Sequence, residues 1–166
     1  MARAGRPSKS DPRVDKLSFD IEKGNNTEVI QLLSEVGIDA YDGFLRTALI
    51  WATVFNNIQL LKWLIDNGAN INHQDRNGYT ALHFAAQEKR QECAELLIGK
   101  GADINLQDIY GNNPLFTAVF NSRGDTRLVK LYVQNGADLD QTNKYQKSPR
   151  IMAQIISGFD LEAIAK

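Results

Sequence analysis

The chain has 166 residues, 43% hydrophobic and 23% charged, with 19 Lys and Arg against 20 Asp and Glu for a formal net charge of −1. That length fits one domain, and the near-neutral balance argues against wholesale attraction to nucleic acid or an anionic membrane. No apolar run approaches the roughly 20 residues of a bilayer span, Met1 to Lys16 lacks the apolar stretch of a secretory signal, and a lone Cys93 cannot form an internal disulfide, so a reducing cytoplasmic setting is expected.

In chain order, residues 1–16 read as a disordered basic tail: Arg3, Arg6, Lys9, Arg13 and Lys16 stand against Asp11 and Asp15, and Gly5, Pro7 and Pro12 oppose packing. Residues 17–41 carry a helical apolar pattern at Val29, Ile30, Leu32, Leu33 and Val36, with Thr27 as N-cap. Three full units follow, at 42–74, 75–107 and 108–142. Each opens on an Asp, runs through Thr47-Ala48-Leu49, Thr80-Ala81-Leu82 or Asn113-Pro114-Leu115, and closes on Gly68-Ala69-Asn70, Gly101-Ala102-Asp103 or Gly136-Ala137-Asp138. The closing glycines lie 33 and 35 residues apart, a period that means stacked supersecondary units. The two extra residues of the third unit fall among Asn121 to Thr126, where Ser122, Arg123, Gly124 and Asp125 lengthen a loop rather than break a helix. In the closing segment, 143–166, Ser148-Pro149 repeats the helix start but Arg150 stands at the register of Leu49, Leu82 and Leu115, as an outward-facing last unit requires.

Within a unit, Thr80 suits a helix N-cap, and Pro114 and Pro149 fall at a first helical turn, where a missing N–H is harmless. The second helices are apolar at Leu60, Leu61 and Leu64 and at Leu128 and Val129, and Gly68, Gly101 and Gly136 sit where a left-handed C-cap is expected. Thr80-Ala81-Leu82-His83-Phe84-Ala85 departs at one position from the T-P-L-H-x-A signature, so the chain resembles the ankyrin repeat family. The resemblance implies an all-α, ankyrin-repeat solenoid of stacked helix-turn-helix units with N- and C-terminal capping repeats. It also implies that His83 braces the turn between units.

Catalytic constellations are missing. His73 and His83 lack metal-ligand spacing, and no G-x-S-x-G, H-E-x-x-H or phosphate loop occurs. His73 reads as solvated, Cys93 as a small buried hydrophobe, Trp63 as core, and Asp103, Asp138 and Asp140 as loop braces. No enzyme, cofactor or metal is expected. The functional question therefore becomes one of surface.

In the resembled family partners bind the concave side, formed by loop tips and first helices. Carried over residue by residue, that surface comprises Phe44, Arg46, Phe55, Arg76, Tyr79, Tyr110, Phe120 and Tyr145, an aromatic strip with two arginines. Aromatic and arginine side chains favour interface hot spots. Phe55 and Phe120 are the members most expected to turn into the core. The implied function is non-enzymatic binding of a protein partner by a monomer acting as an adaptor or inhibitor. Small ankyrin proteins of this kind resemble immunity proteins that neutralise a bacterial toxin, an alternative. Another is a nucleic-acid-linked regulator using the basic tail, where Gly5-Arg6-Pro7 resembles an AT-hook core that lays an arginine in the minor groove.

Overall fold

A computed structural model describes residues 11–156 and 161–165. Its helices come in pairs: α1 (Leu17–Lys23) with α2 (Asn26–Val36), α3 (Ala48–Val54) with α4 (Ile58–Asp66), α5 (Ala81–Gln87) with α6 (Gln91–Gly99), α7 (Pro114–Asn121) with α8 (Arg127–Gln134), and α9 (Pro149–Ile156) with α10 (Leu161–Ala165). First helices stack in the order α1, α3, α5, α7, α9, and α4, α6, α8 and α10 form a second row. This is the all-α solenoid that the period implies.

Local chemistry sets the helix limits. The side chains of Thr47 and Asn113 accept from the N–H groups of Ile50 and Phe116, at 3.5 and 2.9 Å. Thr80 and His83 form a reciprocal capping box. At the far end of the second helices Gly68, Gly101 and Gly136 take φ of 84°, 84° and 85°, the left-handed region in which a Cβ is penalised.

The core runs the length of the stack. Ala52, Ala85, Ala118 and Ala153 share one register, and all are buried, so small side chains let successive first helices approach. Leu61, Leu64, Leu97 and Val129 fill the second row, each worth about 1.5–3 kcal/mol relative to exposure. Tyr132 takes the register of Leu64 and Leu97; it is fully buried, and its hydroxyl donates to the Leu82 carbonyl at 2.8 Å. Arg150 answers the leucine register of the last first-helix by pairing with Asp140 through Nε and Nη2, at 2.7 and 2.9 Å.

Several expectations need correction. Packed structure begins before Leu17: Val14 is buried in a short 3-10 helix (Val14–Lys16), and Arg13 binds Asp11 and, at 2.7 Å, Glu35 of α2. Val14 joins the hydrophobic core, and its short helix packs against α1, which a reading by charge alone could not reveal. Residues 1–10, with Gly5-Arg6-Pro7, lie outside the described residues. Helix α2 starts at Asn26, with Asn25 in the cap position two residues ahead of the expected Thr27. His73 is half-buried: its Nε2 donates to the Leu45 carbonyl at 2.8 Å and its ring stacks with Tyr41. Trp63 is half-buried rather than fully enclosed.

Candidate binding surface

Each loop tip is built around one buried side chain. The Oδ1 atoms of Asp42, Asp75, Asp108 and Asn143 each accept two backbone N–H groups, from residues two and four further on, at 2.8–3.0 Å. Consecutive tips are tied by backbone bonds: Arg76 N–H to Phe44 O, Ile109 N–H to Asn77 O and Lys144 N–H to Tyr110 O, at 2.9, 3.0 and 2.9 Å. These bonds hold residues of equal register in one row. One position per tip is left-handed. In the middle units it is Gly78 or Gly111, and a Cβ on Gly78 would lie 2.9 Å from the Asp108 Cα.

The second carboxylate oxygens join each tip to its surroundings. Asp42 accepts from Trp51 Nε1 at 2.9 Å, Asp75 from Arg46 Nε at 3.2 Å, and Asp108 from Asn112 Nδ2 at 3.0 Å. Asn143 instead donates to Asn112 Oδ1 at 2.8 Å. His83 performs the expected brace. Its Nδ1 accepts from Thr80 N–H at 3.1 Å, so the ring proton sits on Nε2, which donates to the Asn112 carbonyl at 3.0 Å. Burial holds this imidazole below its ordinary pKa, and the neutral form is the one both bonds require.

Over the first two full units the surface is interlocked. The Arg46 guanidinium lies 4.8 Å from the Phe84 ring centre, 4.9 Å from Trp51 and 5.5 Å from Phe44. Arg76 covers Phe44 at 5.9 Å and donates to the Gly43 carbonyl. Phe55 is half-buried and stacks on Trp51 at 5.6 Å. Tyr79 stacks on His83 at 4.9 Å and meets Phe84 edge-on at 5.4 Å. Burial, then the Asp108 charge, raises its phenol pKa, against a hydrogen bond with Thr117.

The last two units differ. Phe44, 60% exposed, lies under two arginines, whereas the ring and cation contacts of the described residues include none to Tyr110, Phe120 or Tyr145, which are 48%, 59% and 68% exposed. Phe120 therefore corrects the expectation that it turns inward: it stands at the register of Gln87, beyond the alanine-lined contact of α5 with α7. Two adjoining depressions share Phe116 and Asn112. One, of about 190 Å³, also touches Tyr79 and Phe120; the other, of about 460 Å³, touches Tyr110, Tyr145 and Lys147. Sequence reasoning missed Phe84, Phe116 and the exposed Ile155. Register was the available signal, since Phe116 aligns with His83 and Ile155 with Phe120.

No group of three or more His, Cys, Asp or Glu able to hold a metal occurs among the described residues. Cys93 is fully buried, and burial pushes its thiol up to about 12, away from the thiolate that reactivity needs. No described helix is long and apolar enough to cross a membrane.

A family model for ankyrin repeats (three copies) matches residues 17–108 and 62–143. Similar proteins include the Notch-regulated ankyrin repeat-containing protein of Xenopus tropicalis, 30% identical over 98 residues, which covers 55% of this chain and 86% of that protein. The human protein of the same name is 30% identical over 92 residues, covering 52% of this chain and 81% of its own length. Human transient receptor potential cation channel subfamily A member 1 is 30% identical over 135 residues, 74% of this chain but 12% of the channel. Its Caenorhabditis elegans homolog is matched over 10% of its length. Such repeats are in general protein–protein interaction modules rather than enzymes. With the repeat match, the sequential stacking of helix pairs and the aligned loop tips, the chain belongs to the ankyrin repeat family.

Proposed function

We propose that this protein is a non-enzymatic adaptor or inhibitor that holds a protein partner against the side formed by its loop tips and first helices. One observation carries the reading: Tyr110, Phe120 and Tyr145 are large, exposed side chains gathered around adjoining depressions. Monomer surfaces rarely leave such residues grouped without a role. The tips are also held by backbone and buried side-chain bonds, so binding requires little ordering of the surface. Photocrosslinking tests this directly. A benzophenone amino acid at position 145 or 110 should capture a common protein, and one at Lys62, exposed on α4, should not. Phe120→Ala should weaken the capture. Equal capture from position 62, or capture indifferent to Phe120→Ala, removes the reading.

A further inference from the structure

The groove at the last two units has a charge as well as a shape. Tip acids Asp42, Asp75 and Asp108 give way to Asn143 in the fourth tip, which keeps the same turn bonds without the negative charge. Beside it stand Lys144 and Lys147, both exposed, and Lys147 lines the same depression as Tyr110, Phe116 and Tyr145. The ion pairs of the described residues include neither lysine. The carboxylate nearest in the row, Asp108, is buried, with both oxygens held by Tyr110 N–H, Asn112 N–H and Asn112 Nδ2. A cation at this register need not stay free: Arg46, its equivalent in the first full unit, pairs with Asp75.

We infer that this half of the groove takes an acidic peptide segment bearing large apolar side chains. The inference rests on the binding side proposed above and specifies its partner. Aromatic rings around the depressions supply apolar seats, and Lys147 at the rim, with Lys144 exposed on the same tip, selects carboxylates and steers encounter. The basic segment at the N-terminus of this chain, with Arg3, Arg6 and Lys9, has the wrong sign to fill it. Single-stranded nucleic acid, the other ligand of lysines among aromatics, is disfavoured by so few cations on a chain of net charge −1.

Fluorescence anisotropy with the full chain tests the inference, using short labelled peptides that alternate Phe or Leu with Glu, Gln or Lys, and a labelled oligothymidylate. The Glu peptide should bind about tenfold or more tighter than the Gln peptide and weaken with salt. The double variant Lys144→Glu/Lys147→Glu should remove that preference, and Tyr110→Ala/Tyr145→Ala should remove binding. Equal binding of Glu, Gln and Lys peptides, lost in the tyrosine variant, overturns the charge selection and leaves the groove standing. No peptide binding, or binding that the tyrosine variant leaves unchanged, overturns both. Tighter binding of oligothymidylate than of the Glu peptide overturns the peptide assignment.

Discussion

Arg46 and Lys147 hold the same register in the first full unit and the last, and the structure uses them differently. Arg46 reaches the next tip, bonds Asp75 and is enclosed by Trp51, Phe84 and Phe44. Lys147 stays exposed at the rim of a depression. Tyrosines at neighbouring register positions differ in a related way: Tyr79, at the register of Arg46, lies against His83 and Phe84, whereas Tyr145, at the register of the arginine-covered Phe44, stands clear. A repeat fixes where a side chain starts; whether it is available to a partner depends on the neighbour in the stack. One half of the row is thus cross-braced and the other is presented.

The sharpest way to break this contrast is Arg46→Ala. The Asp75 side chain is 1% exposed and that of Arg46 22%, so the variant leaves a buried carboxylate with its two backbone donors and no cation. The loss should be about 2–4 kcal/mol by urea denaturation, below the full range for a fully buried pair. Lys147→Ala should stay within about 0.5 kcal/mol. Combining Arg46→Ala with Asp75→Asn should recover part of the loss. Equal effects at the two positions would mean that the tips are not differently braced.

Next in size is Tyr79→Ala, which removes the contacts to His83 and Phe84 and the hydrogen bond with Thr117. It should cost about 1.5–3 kcal/mol, because the ring is half-buried rather than enclosed. The thermal midpoint should fall accordingly.

That tyrosine also marks what the sequence could tell. Period, helix pairs and glycine ends were legible, because each follows from a local residue preference repeated in register; the His83 brace was implied by the family resemblance, since Ile50 and Phe116 hold its register in the neighbouring units. The direction of Tyr79 was not. It depends on Phe84 within its own unit and on Thr117 in the next, a meeting of aligned positions that lie far apart in the chain. Phe120 misled for the converse reason. An aromatic at a helix end reads as core, but the small alanines carry the packing between first helices and leave Phe120 outside. Likewise His73 lies in a loop rich in polar residues and reads as solvated, until the Leu45 carbonyl at the tip of its own unit reaches it.

A smaller effect comes from pH. His83 has its pKa lowered by burial, so below the ordinary value of 6.5 the unfolded chain binds a proton that the folded chain refuses. Its stabilising contribution is complete above that value and falls as the solution becomes more acidic. Between about pH 7.5 and about pH 5.5 the loss should be about 1 kcal/mol in urea midpoints. His83→Gln should flatten the profile across that window. The carboxylates held low by arginine or lysine partners (Asp11, Asp66, Asp125 and Asp140) act in a separate window, below their ordinary 3.8. A profile unchanged by His83→Gln would show that another group governs the acid side.

The smallest stability change belongs to the presented half. Tyr110 and Tyr145 supply their backbone to the tip bonds: Tyr110 N–H to Asp108, Tyr110 O from Lys144 N–H, and Tyr145 N–H to Asn143. Alanine keeps all three, and the lost rings are largely exposed. Tyr110→Ala and Tyr145→Ala should therefore each stay within about 0.5 kcal/mol of the parent. Tyr79→Ala is their internal control, since it removes a ring of the same chemistry from the interlocked half. If Tyr145→Ala unfolds as readily as Tyr79→Ala, the exposed ring is structural, and the presented surface shrinks to Phe116 and Phe120. If it leaves stability alone, nothing in the fold requires the ring there, and the rim residue stays available to the proposed partner.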